Sequence, residues 1–89
     1  MHIHSICVVK NEADIVGQCL REALAWSDYI YVYDGDSSDG TWDIVKGMAG
    51  DRIVAWKQDG KVFQESLRAE VYNAFRDRAT EGDWWCHLD

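Results

Sequence analysis

Four short blocks of the chain are dense in β-branched and aromatic side chains, and the stretches between them repeat apolar residues every three or four positions. The blocks are Ile3–Val9 and residues 29–33, 52–57 and 84–89, each the length and composition of a buried strand. Residues 12–26 read as a helix. Ile15, Cys19 and either Leu20 or Ala23 form its inner stripe, Val16 and Leu24 widen it, and Gln18, Arg21 and Glu22 face out. Asn11 is placed to cap this helix and Asp14 to meet its dipole. Ser38 or Asp39 caps a second helix running to Met48, with Ile44, Val45 and Met48 inward and Gly50 as its stop. The third and longest spans residues 63–80. Its inner stripe is Leu67, Val71, Ala74, Phe75 and Ala79, and Gln64, Arg68, Tyr72 and Arg76 stack beside it.

The order is therefore β-α-β-α-β-α-β with short connections, an α/β chain. Such an order calls for a parallel sheet with right-handed crossovers and helices on its faces. In a sheet of this kind all strand carboxyl ends lie along one rim. That brings together Lys10-Asn11-Glu12, the carboxylates Asp34, Asp36 and Asp39, Gln58-Asp59 and Asp89, which are far apart in sequence. Asp in a turn commonly binds only its own backbone, so the cluster is the argument and no single aspartate is.

Composition narrows the classes. With 89 residues, 47% hydrophobic and including five Trp and four Tyr, the chain has material for one small core and is not of disordered type. A net charge of −7 with nine scattered basic residues gives no footprint for nucleic acid or an anionic membrane. A free nucleotide stays compatible, provided backbone N–H groups or a divalent cation meet its phosphates. Cys7, Cys19 and Cys86 are an odd set in apolar contexts, expected as reduced core thiols of a cytoplasmic protein. No apolar run is long enough to span a bilayer, and the first residues lack the basic start of a signal peptide.

The run Val8-Val9-Lys10-Asn11-Glu12 after strand one, Asp34-Gly35-Asp36-Ser37-Ser38-Asp39-Gly40-Thr41 after strand two and Leu88-Asp89 after strand four resembles the amino-terminal half of family 2 glycosyltransferases with the GT-A fold. The resemblance covers nearly the whole chain. It implies a three-layer, Rossmann-like parallel sheet, truncated from a complete GT-A domain, that binds a nucleoside diphosphate sugar, most often a UDP-sugar. In that reading the base lies over the end of strand one near Val8 and Lys10, and Glu12 is counted among the donor-binding residues. Asp34 or Asp36 accepts from the base or ribose, with the choice between the two carboxylates open, because Gly35 stands where the commoner family loop has its second aspartate and Asp36 takes the glycine place. Asp89 matches the first position of the family's Asp-any-Asp motif, which holds Mg2+ or Mn2+ on the diphosphate, and Arg68 is the candidate arginine approaching that group. The second metal aspartate, the acceptor region and the catalytic base of the family have no counterpart in these residues, so a fragment is expected, binding nucleotide weakly and transferring no sugar alone. Donor sugar and acceptor stay unassigned.

The rival readings are a free-standing flavodoxin-like module using the acidic rim for Mg2+, and an interaction module whose unpaired sheet edge would join copies of the chain. His2 and His4 share one strand face and lack a third nearby metal ligand, so strand-end roles are expected for them. His87 shares a face with Asp89 and reads as a core histidine. Trp84 and Trp85 read as packing on opposite faces, and Glu12 also as orienting the loop after strand one.

Overall fold

The first strand forms where expected: β1 is Ile3–Val9, and its near-continuous burial follows from an apolar run with neighbours on both sides. The computed structural model describes residues 1–60 and 64–88, with the backbone alone for residues 64–67. Next come α1 (Val16–Ala23), β2 (Tyr29–Asp34), α2 (Thr41–Met48), β3 (Ile53–Gln58) and α3 (Gln64–Phe75). A 3-10 turn at Arg76–Arg78 leads to β4 (Trp84–Leu88). The four strands form one sheet in the order β3-β2-β1-β4, every pair parallel. Among the described residues no helix is long and apolar enough to cross a membrane.

Alternate residues of each strand enter two separate clusters. Cys7, Val9, Ile30, Val32 and Ile53 meet Val16, Leu20 and Ala23 of α1 and Val45 of α2. Ile6, Tyr31 and Tyr33, with Trp56 and Trp85 beside them, meet Val71 and Phe75 of α3. The period of two puts these clusters on opposite faces of the sheet. The chain thus proceeds from β1 to β2 to β3 under α1 and α2, then crosses by α3 to the other side of β1. The order reverses between β1 and β4, and crevices outside strand carboxyl ends at such reversals are where open parallel sheets bind ligands.

Several expectations are corrected. The first helix begins at Val16, not near residue 12, and no acidic residue lies in its first turn, so Asp14 does not serve its dipole. Asn11 caps nothing there; its side chain is used by the loop after β2. The helix is consequently rotated from the expected phase: Ile15 is 52% exposed, while Val16, Leu20 and Ala23 are buried. On α2, Val45 is buried and Ile44 lies near the surface beside Gly17 of α1. The long helix stops at Phe75; Val71 is fully buried, but Ala74 is exposed. Leu67 and Phe63 lie outside the described side chains. Trp85 packs, whereas Trp84 is 63% exposed at the sheet edge and is not a packing residue.

Candidate functional site

The loops after β1 and β2 are built into one another. Gly35 donates its backbone N–H to the Val9 carbonyl at 2.8 Å, extending the β1–β2 ladder past its last paired residues. Asn11 then turns in the left-handed region (φ 52°), which Asn tolerates better than most residues. Its N–H donates to Ser37 Oγ at 2.7 Å, and its Oδ1 accepts the Ser38 N–H at 2.8 Å. One residue on, the Glu12 N–H donates to Thr41 Oγ1 at 2.8 Å, and the Ala13 N–H reaches Asp39 Oδ2 at 3.2 Å. Glu12 also accepts, through its carbonyl, the N–H groups of Ile15 and Val16, so it orients the entry to α1.

The aspartates divide by task. Asp39 closes the start of α2: its Oδ1 accepts both the N–H and the hydroxyl of Thr41, and the hydroxyl bond first, with the backbone bonds after it, holds the carboxyl below its ordinary range. Gly40 follows in the left-handed region (φ 91°) as the residue capping the helix. Asp34 is fully buried at the end of β2. Its Oδ1 accepts the Ser37 N–H at 2.6 Å, while Oδ2 is buried and meets no hydrogen-bond partner among the described residues. Buried carboxylate oxygens are seldom left so, because each loses its hydration without return. Asp36 is exposed and adopts φ 70°, a conformation ordinarily given to Gly. Gly35 carries no such constraint: a Cβ there would stand 3.6 Å from the Val9 carbonyl and 3.7 Å from Lys10 Cβ, ordinary contact distances.

Three rim loops converge in this way. The Lys10 side chain lies along Gly35, the Asp36 carboxylate stands beside Gly60, and the Asp59 N–H donates to the Asp34 carbonyl at 2.9 Å. Val8 and Val9 lead into the cluster from β1, with Val8 partly exposed on the α3 face and paired with Tyr33. The structure therefore brings together the loops that carry Lys10, Asp34 and Asp36, and Glu12 is tied to the loop after β2 through its backbone bond to Thr41. Arg68 is placed otherwise: it lines a cavity of about 440 Å³ with Ala69 and Tyr72 of α3 and His87 of β4, and none of those four rim residues is among the described lining. His87 is exposed and is not a core residue. Asp89, the expected metal ligand, lies outside the described residues, and among the described ones no group of three or more His, Cys, Asp or Glu side chains could hold a metal ion.

A second polar cluster, at the opposite end of the sheet, was not evident from the sequence. His4 is buried between the rings of Tyr29 and Trp85, at centroid distances of 5.2 Å and 4.7 Å. Its Nε2–H donates to Asp83 Oδ2 at 2.8 Å, and in the neutral ring Nδ1 accepts the Tyr31 hydroxyl at 2.8 Å. Asp83 also accepts the N–H groups of His2 and Thr80, at 2.9 Å and 3.1 Å. These bonds, the His4 bond foremost, hold its carboxyl well below the usual range. His2 and His4 thus fasten the start of β4. Burial, with Cys19 and Glu12 adding to it, pushes the Cys7 thiol up to about 12, so it behaves as the inert core thiol expected.

No protein-family model, curated protein or solved structure matches the chain.

Proposed function

We propose that the chain is the donor-binding part of a glycosyltransferase, holding a nucleoside diphosphate sugar, with UDP the nucleotide, on the rim formed by the loops after β1 and β2. The three-layer GT-A arrangement, of which these four strands would be one part, belongs to the same proposal. The observation that carries it is the buried Asp34 carboxylate, with one oxygen used by Ser37 and the other lacking a described partner, at the carboxyl edge of a parallel sheet. A carboxylate in that position suits the imide N–H of a pyrimidine base or a pair of ribose hydroxyls. Asp36, exposed two residues on, supplies a second acceptor, and the stem of the Lys10 side chain runs along Gly35. Val8 and Glu12 belong to the same donor-binding proposal, and the Glu12 backbone, bonded to Thr41, Ile15 and Val16, holds the loop that follows Lys10.

In this reading the protein's own residues bind and orient the nucleoside. The clasp of Asn11, Ser37, Ser38 and Thr41 fixes the two loops against each other before ligand arrives, which lowers the ordering cost of binding. Mg2+ or Mn2+ enters the proposal through Asp89 alone, and the described residues do not by themselves assemble a site for it. When bound, such an ion would neutralise the departing diphosphate. Sugar transfer also needs an acceptor and a base to deprotonate it, and the 89-residue chain is expected to bind without turnover.

The deciding experiment is an amide NMR titration with UDP, with and without Mg2+. Shifts centred on residues 8–12 and 34–39 are expected, and Asp34→Asn should weaken binding roughly tenfold or more, the effect of losing a charge-assisted hydrogen bond. A folded chain showing no shifts at millimolar UDP under either condition would refute the reading.

A further inference from the structure

Asp-Gly pairs occur three times along the chain, at Asp34-Gly35, Asp39-Gly40 and Asp59-Gly60. Such a pair can react with itself. The glycine nitrogen attacks the aspartyl Cγ, water leaves and a five-membered succinimide closes, a path that glycine eases because no Cβ hinders its nitrogen or restricts its backbone. Water then opens the ring. Opening at Cγ restores aspartate, whereas opening at the α-carbonyl leaves the chain running through Cβ and Cγ, an isoaspartyl linkage with an added methylene in the backbone and a free α-carboxylate. The water lost on closure is regained on opening, and nothing is oxidised or reduced.

The fold treats the three pairs differently. At Asp34-Gly35 both reacting groups are held: the carboxylate is fully buried with Oδ1 on the Ser37 N–H at 2.6 Å, and the Gly35 N–H donates to the Val9 carbonyl at 2.8 Å. At Asp39-Gly40 the carboxylate accepts the Thr41 hydroxyl and the N–H groups of Thr41 and Ala13, which favour its ionised form, and a carboxylate anion is a poor electrophile. The Gly40 carbonyl is also committed, to the Ile44 N–H in the first turn of α2. The third pair lacks such holds. Asp59 lies half-buried just past the end of β3, bonded through its backbone N–H to the Asp34 carbonyl, and Gly60 is exposed. Among the described residues neither the Asp59 carboxylate nor the Gly60 N–H has a hydrogen-bond partner.

We propose that Asp59-Gly60 is a modification site, at which an isoaspartyl linkage forms spontaneously and reshapes the rim of the sheet. Its location gives the change its reach. The Asp59 N–H ties the loop after β3 to the end of β2, and Gly60 packs beside Asp36, so that a Cβ on it would stand 3.6 Å from Asp36 Oδ2. A methylene added between these two contacts displaces Gly60 from Asp36 and moves the Asp59 charge from the side chain to the α-carboxylate. The inference does not rest on the nucleotide reading, since it needs only the loops themselves and water.

The test is to age the full chain at neutral pH and physiological temperature, native and in urea, and to locate isoaspartate by proteolysis and electron-transfer mass spectrometry, which distinguishes it from aspartate. In the native chain isoaspartate at Asp59 is expected to exceed that at Asp34 and at Asp39 by roughly tenfold or more, because those two pairs react only through local opening. In urea the three should react at similar rates. Gly60→Ala, whose Cβ meets Asp36 at an ordinary contact distance, should lower the yield at Asp59 roughly tenfold. Aged wild type should also show amide NMR shifts at residues 34–36 that aged Gly60→Ala lacks. Equal isoaspartate at the three native sites, more at Asp34 or Asp39 than at Asp59, none at Asp59, or isoaspartate at Asp59 without shifts at residues 34–36 would each overturn the proposal.

Discussion

Two non-glycine residues hold the rim loops in the left-handed region, and they differ in what that costs. Asn11 tolerates φ 52° and uses its side chain there, with Oδ1 on the Ser38 N–H. Asn11→Ala loses that acceptor and places an ordinary side chain in an unfavourable conformation, so a loss of about 2 kcal/mol is expected by urea denaturation. Asn11→Gly keeps the conformation open and should lose less than about 1 kcal/mol. Asp36, at φ 70°, makes the complementary case. Asp36→Gly relieves its backbone and should leave stability within about 1 kcal/mol of wild type while weakening UDP binding, if the exposed carboxylate serves the ligand. A titration and a denaturation curve on the same variant separate the two effects.

At the scale of elements, burial decided what periodicity left ambiguous. On α1 both Ile15 and Val16 fit an apolar stripe, and spacing put Ile15 at its centre with Val16 at its margin. The helix begins only at Val16 because the Glu12 carbonyl first takes the N–H groups of Ile15 and Val16 in a turn, and Glu12 itself is tied to Thr41. Ile15 consequently ends 52% exposed and Leu20 fully buried. Leu20→Ala should cost about 3 kcal/mol and Ile15→Ala less than about 0.5 kcal/mol in thermal or urea unfolding. Equal losses at both positions would restore the expected helix phase. The same logic explains the tryptophans of β4. Their opposite faces were legible from alternation, but the absence of a described element over the Trp84 side was not.

The whole molecule is fastened at both ends of its sheet, and the two fasteners respond to acid in the same sense. Asp83 joins His2, His4 and Thr80 at the amino edge, and Asp39 joins Thr41 and Ala13 at the carboxyl edge. Both carboxyls are held below their ordinary range in the folded chain. A depressed folded value contributes stability that is fully present above the unfolded value, near pH 4, and is lost as pH falls from there through the folded value. Urea midpoints should therefore decline below about pH 4, and Asp83→Asn should flatten that decline while speeding amide exchange in β4. An unchanged acid limb in the variant would show that the His4–Asp83 pair does not secure the strand.

Composition and local pattern determined the order of seven elements, the strand that is buried on both faces and the aspartates that end it. Strand runs and turn residues are short-range signals, and β-branched and aromatic blocks leave little choice of conformation. That the loops after β1, β2 and β3 would lie along one rim was also legible, because a parallel sheet puts every strand end there. The tertiary structure alone decided the rest. His4 and Asp83 are 79 residues apart, and Asp83 reads in sequence only as part of a helix-breaking turn. Asn11 looks like a helix cap until the loop 27 residues on claims its side chain. Strand order placed β4 beside β1, at the end of the row of described strands, and set Arg68 and His87 around one cavity, neither of which any local pattern encodes. Such pairings depend on which elements become neighbours, and that is fixed by how two hydrophobic faces are covered at once, a property of the assembled sheet and not of any segment of it.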